Sequence, residues 1–188
     1  YLQSELVRVG LDGKIHPLTS AEIVDEATPS PDGEWLLVET LHRPWSYHVS
    51  ASRFPSKKRV IRIVDPSDVK EIETLSLADD IPIARGSVRT GKRSVSWRAD
   101  EPATLYAIEA LDGGDAAAEA AKRDRVSLLS APFEDEFMPM WESELRLSSV
   151  MWGDDNLAMA WTWRWNDRKL RTWNLDPSGE REPKVMNE

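Results

Sequence analysis

The chain has 188 residues, of which 40% are hydrophobic, and no apolar run long enough to cross a bilayer, so the composition indicates one domain with a substantial core and no membrane partner. The absence of cysteine excludes disulfides, zinc–thiolate sites and thiol catalysis. A net charge of −9, from 33 acidic and 24 basic residues, repels phosphate backbones and argues against a nucleic-acid partner.

The strongest pattern is a tight turn followed by a short apolar strand, which occurs three times. The turns are at residues 30–33, 96–100 and 151–155, and the strands follow at 34–38, 104–108 and 157–161. Repetition of this kind is typical of a radially repeated β architecture. The predicted fold class is therefore all-β, with short strands separated by Pro, Gly and Asp.

In chain order, the first predicted elements are two strands that flank Asp12-Gly13, which is a strong short-range hairpin signal. We assign residues 1–20 to the outer strands of a preceding blade. The first full blade is predicted over residues 27–77, with its inner strand at 34–41 and a long loop at 42–58.

A second blade is predicted over residues 93–142 and a third over residues 145–188. Within the second, the alanine-rich stretch 116–121 is predicted to form a helix of one or two turns at most, since so short a helix is marginal in water. The count is about three and a half four-stranded blades. Because a propeller normally closes into a ring of about four to eight blades, we expect a fragment of a larger ring, a partial β-propeller. Its open blade edges could self-associate.

Six loop motifs stand outside the blade consensus. They are His-Arg-Pro-Trp-Ser-Tyr at 42–47, Ser-Arg-Phe-Pro at 52–55, Ile-Pro-Ile-Ala at 81–84, Val-Arg-Thr-Gly at 88–91, Arg-Ser-Val-Ser-Trp-Arg-Ala-Asp at 93–100 and Glu-Ala-Leu-Asp-Gly-Gly-Asp at 109–115. Together and in this order they resemble the propeller of glutamyl-endopeptidase-like members of the prolyl oligopeptidase family. The likeness covers residues 30–176.

The resemblance implies a seven-bladed propeller in front of a C-terminal α/β-hydrolase domain that carries a Ser-His-Asp triad. That domain would be the partner of this segment in the parent chain, and the propeller would restrict the access of a peptide substrate to it. No Gly-x-Ser-x-Gly nucleophile elbow occurs in the sequence, so no catalytic residue is assigned, and no metal or other cofactor is expected. Bacterial members can be exported and plant members plastidic, so the resemblance fixes no compartment.

The loop at 42–58 is the best functional candidate, because long irregular loops in compact domains tend to be functional. It places Arg43 and Arg53 beside the aromatic residues Trp45 and Tyr47. A guanidinium next to aromatic rings can hold a carboxylate bidentately, and a glutamyl substrate would need such a group on an acidic protein. We predict substrate contact by these four residues. The structural alternative is that both arginines pair with acids of neighbouring blades or of the missing domain.

The histidines and the paired acidic residues are better explained as structural or solvated side chains than as catalytic groups or metal ligands. His42 and His48 share the loop with several serines, but no nucleophile elbow exposes those serines. The acids at 134–136 and at 154–155 lie at turns, and neither run has the alternating acids and central glycine of a calcium loop. We predict solvated side chains at all of these positions.

The tryptophans of residues 161–165 alternate along one strand, which places three indoles on one face. Packing between blades is favoured over an aromatic platform for a sugar or a peptide, because Trp97, Trp141, Trp152 and Trp173 occupy similar strand positions. Arg164 and Arg171 are expected to stack on these rings.

Two further functions compete with the peptidase segment. The first is a stand-alone propeller module that docks a protein partner through its loops. The second is an assembly piece whose open edges pair between chains to complete a ring.

Overall fold

The strands occupy most of the chain in the computed structural model, which describes residues 2–82, 84–154 and 156–188. They are β1 (Val7–Val9), β2 (Ile15–Pro17), β3 (Val24–Pro29), β4 (Trp35–Leu41), β5 (Ser56–Arg62), β6 (Val69–Leu75), β7 (Lys92–Trp97), β8 (Thr104–Ala110), β9 (Asp124–Ser130), β10 (Met138–Ser143), β11 (Arg146–Asp154), β12 (Leu157–Arg164), β13 (Lys169–Leu175) and β14 (Lys184–Asn187). A single 3-10 turn, Ala51–Arg53, is the helical element of these residues. No helix in the described ranges has the length and apolar character to span a bilayer.

The sheets follow one another along the chain. After the two-stranded β1–β2 hairpin come three antiparallel four-stranded sheets, ordered β3-β4-β5-β6, β7-β8-β9-β10 and β11-β12-β13-β14. In each sheet every strand pairs with its neighbour in sequence. This arrangement confirms the all-β fold class and is that of successive propeller blades.

The chain divides into two compact units. The first runs to Asp79 and includes Pro132–Glu134, and the second comprises Asp80–Ala131 and Asp135–Glu188. In the first unit the buried core of the sheet contains Leu36, Val38 and Ile61, and Leu6 and Leu18 pack against it.

In the second unit, aromatic side chains fill the space between the second and third four-stranded sheets. The rings of Tyr106 and Trp152 are 5.5 Å apart, and those of Trp141 and Trp173 are 5.3 Å apart. Both pairs adjoin one buried cluster that contains Val126 and Ala158. Inter-blade packing is thus confirmed for these tryptophans.

The opposite face of the third sheet is different. Strand side chains alternate, and Ala158, Ala160 and Thr162 on the packed face of β12 have no exposed surface. Trp161 and Trp163 therefore lie on the other face and are only half-buried. Among the described residues no further sheet covers this face, so the packing of these two tryptophans between blades stays a prediction.

In the first of the three repeated turns, the side chains of the turn residues explain why β3 ends there and β4 begins. The Ser30 hydroxyl donates to Asp32 Oδ1 at 2.5 Å and accepts the backbone N–H of Trp35 at 3.0 Å. Gly33 has φ +72°, which favours glycine. The turn thereby joins β3 to β4.

Two sequence predictions require correction. β3 begins at Val24 and lies at the edge of the first four-stranded sheet, so β4 is the second strand of that sheet and not its inner strand. The sequence pattern did not predict β3 because its residues Asp25 and Glu26 are polar and uncommon in strands. Residues 116–121 form turns and not a helix, because Asp115 accepts the backbone N–H groups of Ala117 and Ala118.

Tyr1, Ile83 and Asp155 lie outside the described residues. The predictions that include Ile83 and Asp155 concern the 81–84 motif, the end of the third repeated turn and the acidic pair at 154–155. In that turn, Asp154 Oδ1 accepts the backbone N–H of Asn156 at 2.9 Å.

Candidate functional site

The predicted loop connects β4 to β5 and spans residues 42–55, because β5 begins at Ser56. The Trp45 ring lies 5.4 Å from the Phe54 ring, so the two aromatics pack together. Tyr47 and Arg43 are exposed, and Arg53 is half-buried. The four predicted contact residues thus all lie on the surface loop. Among the residues that the structure describes, no ion pair or ring contact joins any two of these four.

Trp45 also lines an open depression on the first unit, together with His42 and residues of the flanking strands. The basic residues there are already paired, Arg59 with Glu22 and Lys57 with Glu71. Arg43, Arg53 and Tyr47 are not among the described residues that line it. The loop therefore brings one predicted residue, and neither predicted arginine, to this depression.

The histidines and acids of interest occupy ordinary surface positions. His42 Nδ1 hydrogen-bonds the backbone carbonyl of Arg43 at 2.8 Å, and all three histidines are exposed. Glu134 pairs with Lys70 at 3.2 Å. Among the described residues, no group of three or more histidine or acidic side chains could hold a metal ion.

The most elaborate polar arrangement lies in the second unit, where two buried aspartates bind three arginines. Asp124 accepts from Arg146 at 2.7 Å and from Arg93 at 2.8 Å. Asp112 accepts from Arg146 at 2.7 Å and from Arg123 at 2.8 Å. The side chains of Asp112 and Asp124 are fully buried, so this ion-pair network is shielded from solvent.

The network sets the charge states of its members. Burial raises the pKa of the Asp112 carboxyl, but hydrogen bonds from Arg123 and Arg146 outweigh burial, so the pKa is below its ordinary value. Burial lowers the pKa of Arg93, although Asp124 opposes the shift. Asp112 is therefore held as a carboxylate.

Next to this network is a small cleft of about 50 Å³, which we call the arginine cleft. It lies at the end of the sheets where β9 and β11 begin and β12 ends. Its lining residues include Arg85, Arg123, Glu144, Trp163, Arg164 and Trp165.

Trp165 is the central aromatic residue of the arginine cleft. The guanidinium carbons of Arg85 and Arg168 lie 3.7 and 3.5 Å from the centroid of its ring. Two guanidiniums that close to one centroid cannot share a face of the ring, so the indole is sandwiched between them.

Sequence reasoning singled out Trp165 and expected Arg164 and Arg171 to stack on the tryptophans, and one of these two arginines does so. Arg164 pairs with Asp167 at 2.6 Å, and this contact lowers the Asp167 pKa to about 2. The guanidinium carbon of Arg171 lies 5.8 Å from the centroid of the Trp173 ring, as predicted. Arg168 could have been found, since it follows Trp165 by one tight turn; Arg85 is too distant in sequence for such a signal.

Comparison with known proteins finds relatives of this chain among plant proteins. No protein-family model matches the chain. A probable glutamyl endopeptidase, chloroplastic, from Oryza sativa subsp. japonica is 40% identical over 179 residues, which are 94% of this chain and 19% of the relative. A protein of the same name from Arabidopsis thaliana is 40% identical over 189 residues, which are 99% of this chain and 20% of the relative. The chain is homologous to one segment of plant glutamyl endopeptidases.

This homology confirms the resemblance to glutamyl-endopeptidase-like sequences of the prolyl oligopeptidase family. The chain spans about a fifth of the length of the curated relatives it matches. The matched segment leaves about four-fifths of the sequence of each relative outside the alignment with this chain.

Proposed function

We propose that this chain is a non-catalytic propeller segment of a serine peptidase, and that it controls the access of peptides to a hydrolase domain elsewhere in the parent protein. The observation that carries the proposal is the 40% identity over nearly the whole chain to a fifth of two glutamyl endopeptidases. The all-β architecture of successive four-stranded sheets supports it.

The exposed face of the third sheet gives independent support. Met151 and Leu170 are each 54% exposed and Leu157 is 40% exposed, on the face that also carries the half-buried Trp161 and Trp163. A contiguous apolar face of this kind marks an interaction surface. In the parent protein, a further four-stranded sheet would cover it, as the third sheet covers the second here.

The proposed role of the loop at 42–55 follows from its chemistry. Arg43 is exposed and lies close to Trp45 in sequence. Both residues belong to the loop that joins β4 to β5 at one end of these strands. A guanidinium in this position would attract the carboxylate of a glutamyl peptide. Arg53 and Tyr47 would complete the contact.

The gating role is tested on the full-length parent peptidase with one cleavage sequence in two contexts. A short peptide with an internal glutamate should be cleaved, and the same sequence inside a folded protein should resist cleavage. Equal rates of cleavage for the two substrates would contradict gating.

The loop contact is tested with Arg43→Gln and Arg53→Gln in the same enzyme. Loss of a hydrogen bond to a charged group costs about 1.5–3 kcal/mol, so kcat/KM for the glutamyl peptide should fall about tenfold or more. Arg8→Gln is the control, since Arg8 is an exposed arginine of β1. If the control variant and the loop variants have the same kcat/KM, the loop makes no substrate contact.

A further inference from the structure

A groove of about 380 Å³ lies in the second unit, between β10 and the loop that joins β13 to β14. We call it the edge groove, because β10 and β14 are edge strands of their sheets. Its apolar lining includes Pro139, Met140, Trp141 and Pro183. Ligand-binding clefts have volumes of about 300–1,000 Å³, so the edge groove is large enough to hold a side chain of a partner.

The loop that forms one wall of the edge groove is held in place by Asp176. This buried carboxylate accepts the Arg181 guanidinium at 3.0 Å, the Arg181 backbone N–H at 2.9 Å and the Ser178 hydroxyl at 2.8 Å. Gly179 has φ +75°, and a Cβ at this position would lie 3.8 Å from Met140 Cγ, so the loop closely approaches β10. The edge groove therefore has a fixed wall before any ligand binds.

The charged side chains that line the edge groove are mainly acidic. Asp176 and Arg181 neutralise each other, and the remaining described lining residues contribute three carboxylates and one cation, Lys122. Within residues 2–82, 84–154 and 156–188, no cation pairs with Glu180 or Glu182. The groove therefore has a local excess of negative charge, on a chain of net charge −9.

Trp141 presents an aromatic ring to the edge groove without a cation on it. Four other tryptophans each have a guanidinium close to the ring, whereas no cation in the described part of the chain lies over Trp141. The Trp141 side chain is half-buried, and its ring lies 5.3 Å from the ring of Trp173. Cation–π attraction to this indole and ion pairing with the nearby acids would favour the same occupant, a cation.

We propose that the edge groove binds an arginine side chain from an extended segment of a partner protein. The guanidinium would stack on Trp141 and donate N–H groups to the carboxylates of Glu180 and Glu182. Charge complementarity selects this occupant, because an acidic segment would be repelled and an apolar one would leave the carboxylates without a partner. Arginine is favoured over lysine because its planar group can stack and form paired hydrogen bonds at the same time.

This inference does not depend on the proposed peptidase function. The described lining residues of the edge groove include none of the arginine cleft and none of the loop at 42–55. The occupant of the groove is basic, whereas the peptide side chain proposed to contact the loop is acidic. The two proposals can therefore fail separately.

The test is a titration of the ¹⁵N-labelled chain with an acetylated and amidated octapeptide that contains two arginines among glycines and serines. The Trp141 indole N–H signal, assigned with Trp141→Phe, should shift and saturate. Glu180→Gln and Glu182→Gln should each raise Kd about two- to fivefold, as expected for exposed charge pairs, and the double variant should raise it about tenfold. The same octapeptide with lysine in place of arginine should bind more weakly, since lysine keeps the charge without the planar donors.

The matched control variant is Glu119→Gln, since Glu119 is an exposed glutamate of the same unit outside the groove lining. It removes the same charge and should leave Kd unchanged, and an octapeptide with glutamine in place of arginine should give no saturable shift. Thermal unfolding checks that each variant is folded, and the comparison of peptides on the unmodified chain needs no variant. The proposal is overturned if the Trp141 signal does not respond to the arginine peptide, or if the lysine or glutamine peptide binds as tightly. It is also overturned if the folded double variant binds like Glu119→Gln.

Discussion

Replacing Asp124 by asparagine removes one charge from the buried network and leaves its shape almost unchanged. Asp124 is fully buried and accepts from Arg146 at 2.7 Å, from Arg93 at 2.8 Å and from the backbone N–H of Leu147 at 2.5 Å. The asparagine oxygen can still accept one bond, but its amide group faces donors. Arg93 then loses its carboxylate partner in a buried environment, and Arg146 keeps only Asp112.

The expected cost follows from that loss. Removing one partner of a buried ion pair destabilises proteins by about 3–5 kcal/mol, and two charge-assisted hydrogen bonds at about 1.5–3 kcal/mol each give a similar value, about 3–6 kcal/mol. With a urea m-value of about 2 kcal/mol/M, the unfolding midpoint of the second unit should fall by about 1.5–2.5 M. Urea unfolding followed by tryptophan fluorescence measures this shift.

The control for Asp124→Asn is Glu142→Gln, which also removes one negative charge. Glu142 pairs with Arg125 at 2.7 Å, but both side chains are about one-third exposed. Exposed pairs contribute about 0.2–1 kcal/mol, so the control should barely move the midpoint. Equal shifts for the two variants would refute the claim that the network stabilises the second unit.

The remaining predictions concern adjacent glycines and acid pH. Gly114→Ala should destabilise the chain more than Gly113→Ala in the same urea assay: both have positive φ, but a Cβ at 114 would lie 2.1 Å from the Val88 carbonyl oxygen, whereas one at 113 meets nothing within 4 Å. Equal effects would show that this close approach is not maintained. Because the Asp112 pKa is below its ordinary value of 3.8, its stabilising contribution is complete above that value and is lost as the pH falls through the folded pKa. As the pH falls below about 4, unfolding measurements should therefore show a steeper loss of stability for the unmodified chain than for Asp112→Asn; parallel curves would contradict this.

The sequence predicted those parts of the fold that depend on local chemistry. Ser30, Asp32 and Gly33 form a turn through their own side chains and backbone, so the motif alone located it. β3 escaped prediction because its stability comes from pairing with β4, and its polar residues carry no strand pattern. Local signals thus located turns better than edge strands.

The candidate site was less predictable because its parts are distant in sequence. Arg85 and Trp165 meet through the packing of two sheets, and no spacing rule joins them. The Asp112–Arg146 pair likewise spans two sheets. Only the loop residues, which are contiguous, could be grouped from the sequence.

The most direct test of the account labels lysate of the source organism with a fluorophosphonate probe and detects this segment with an antibody. We expect a labelled band far above 21.3 kDa, which would identify the segment as part of a larger serine hydrolase. An unlabelled band near 21.3 kDa would contradict the account and would favour a stand-alone binding or assembly module.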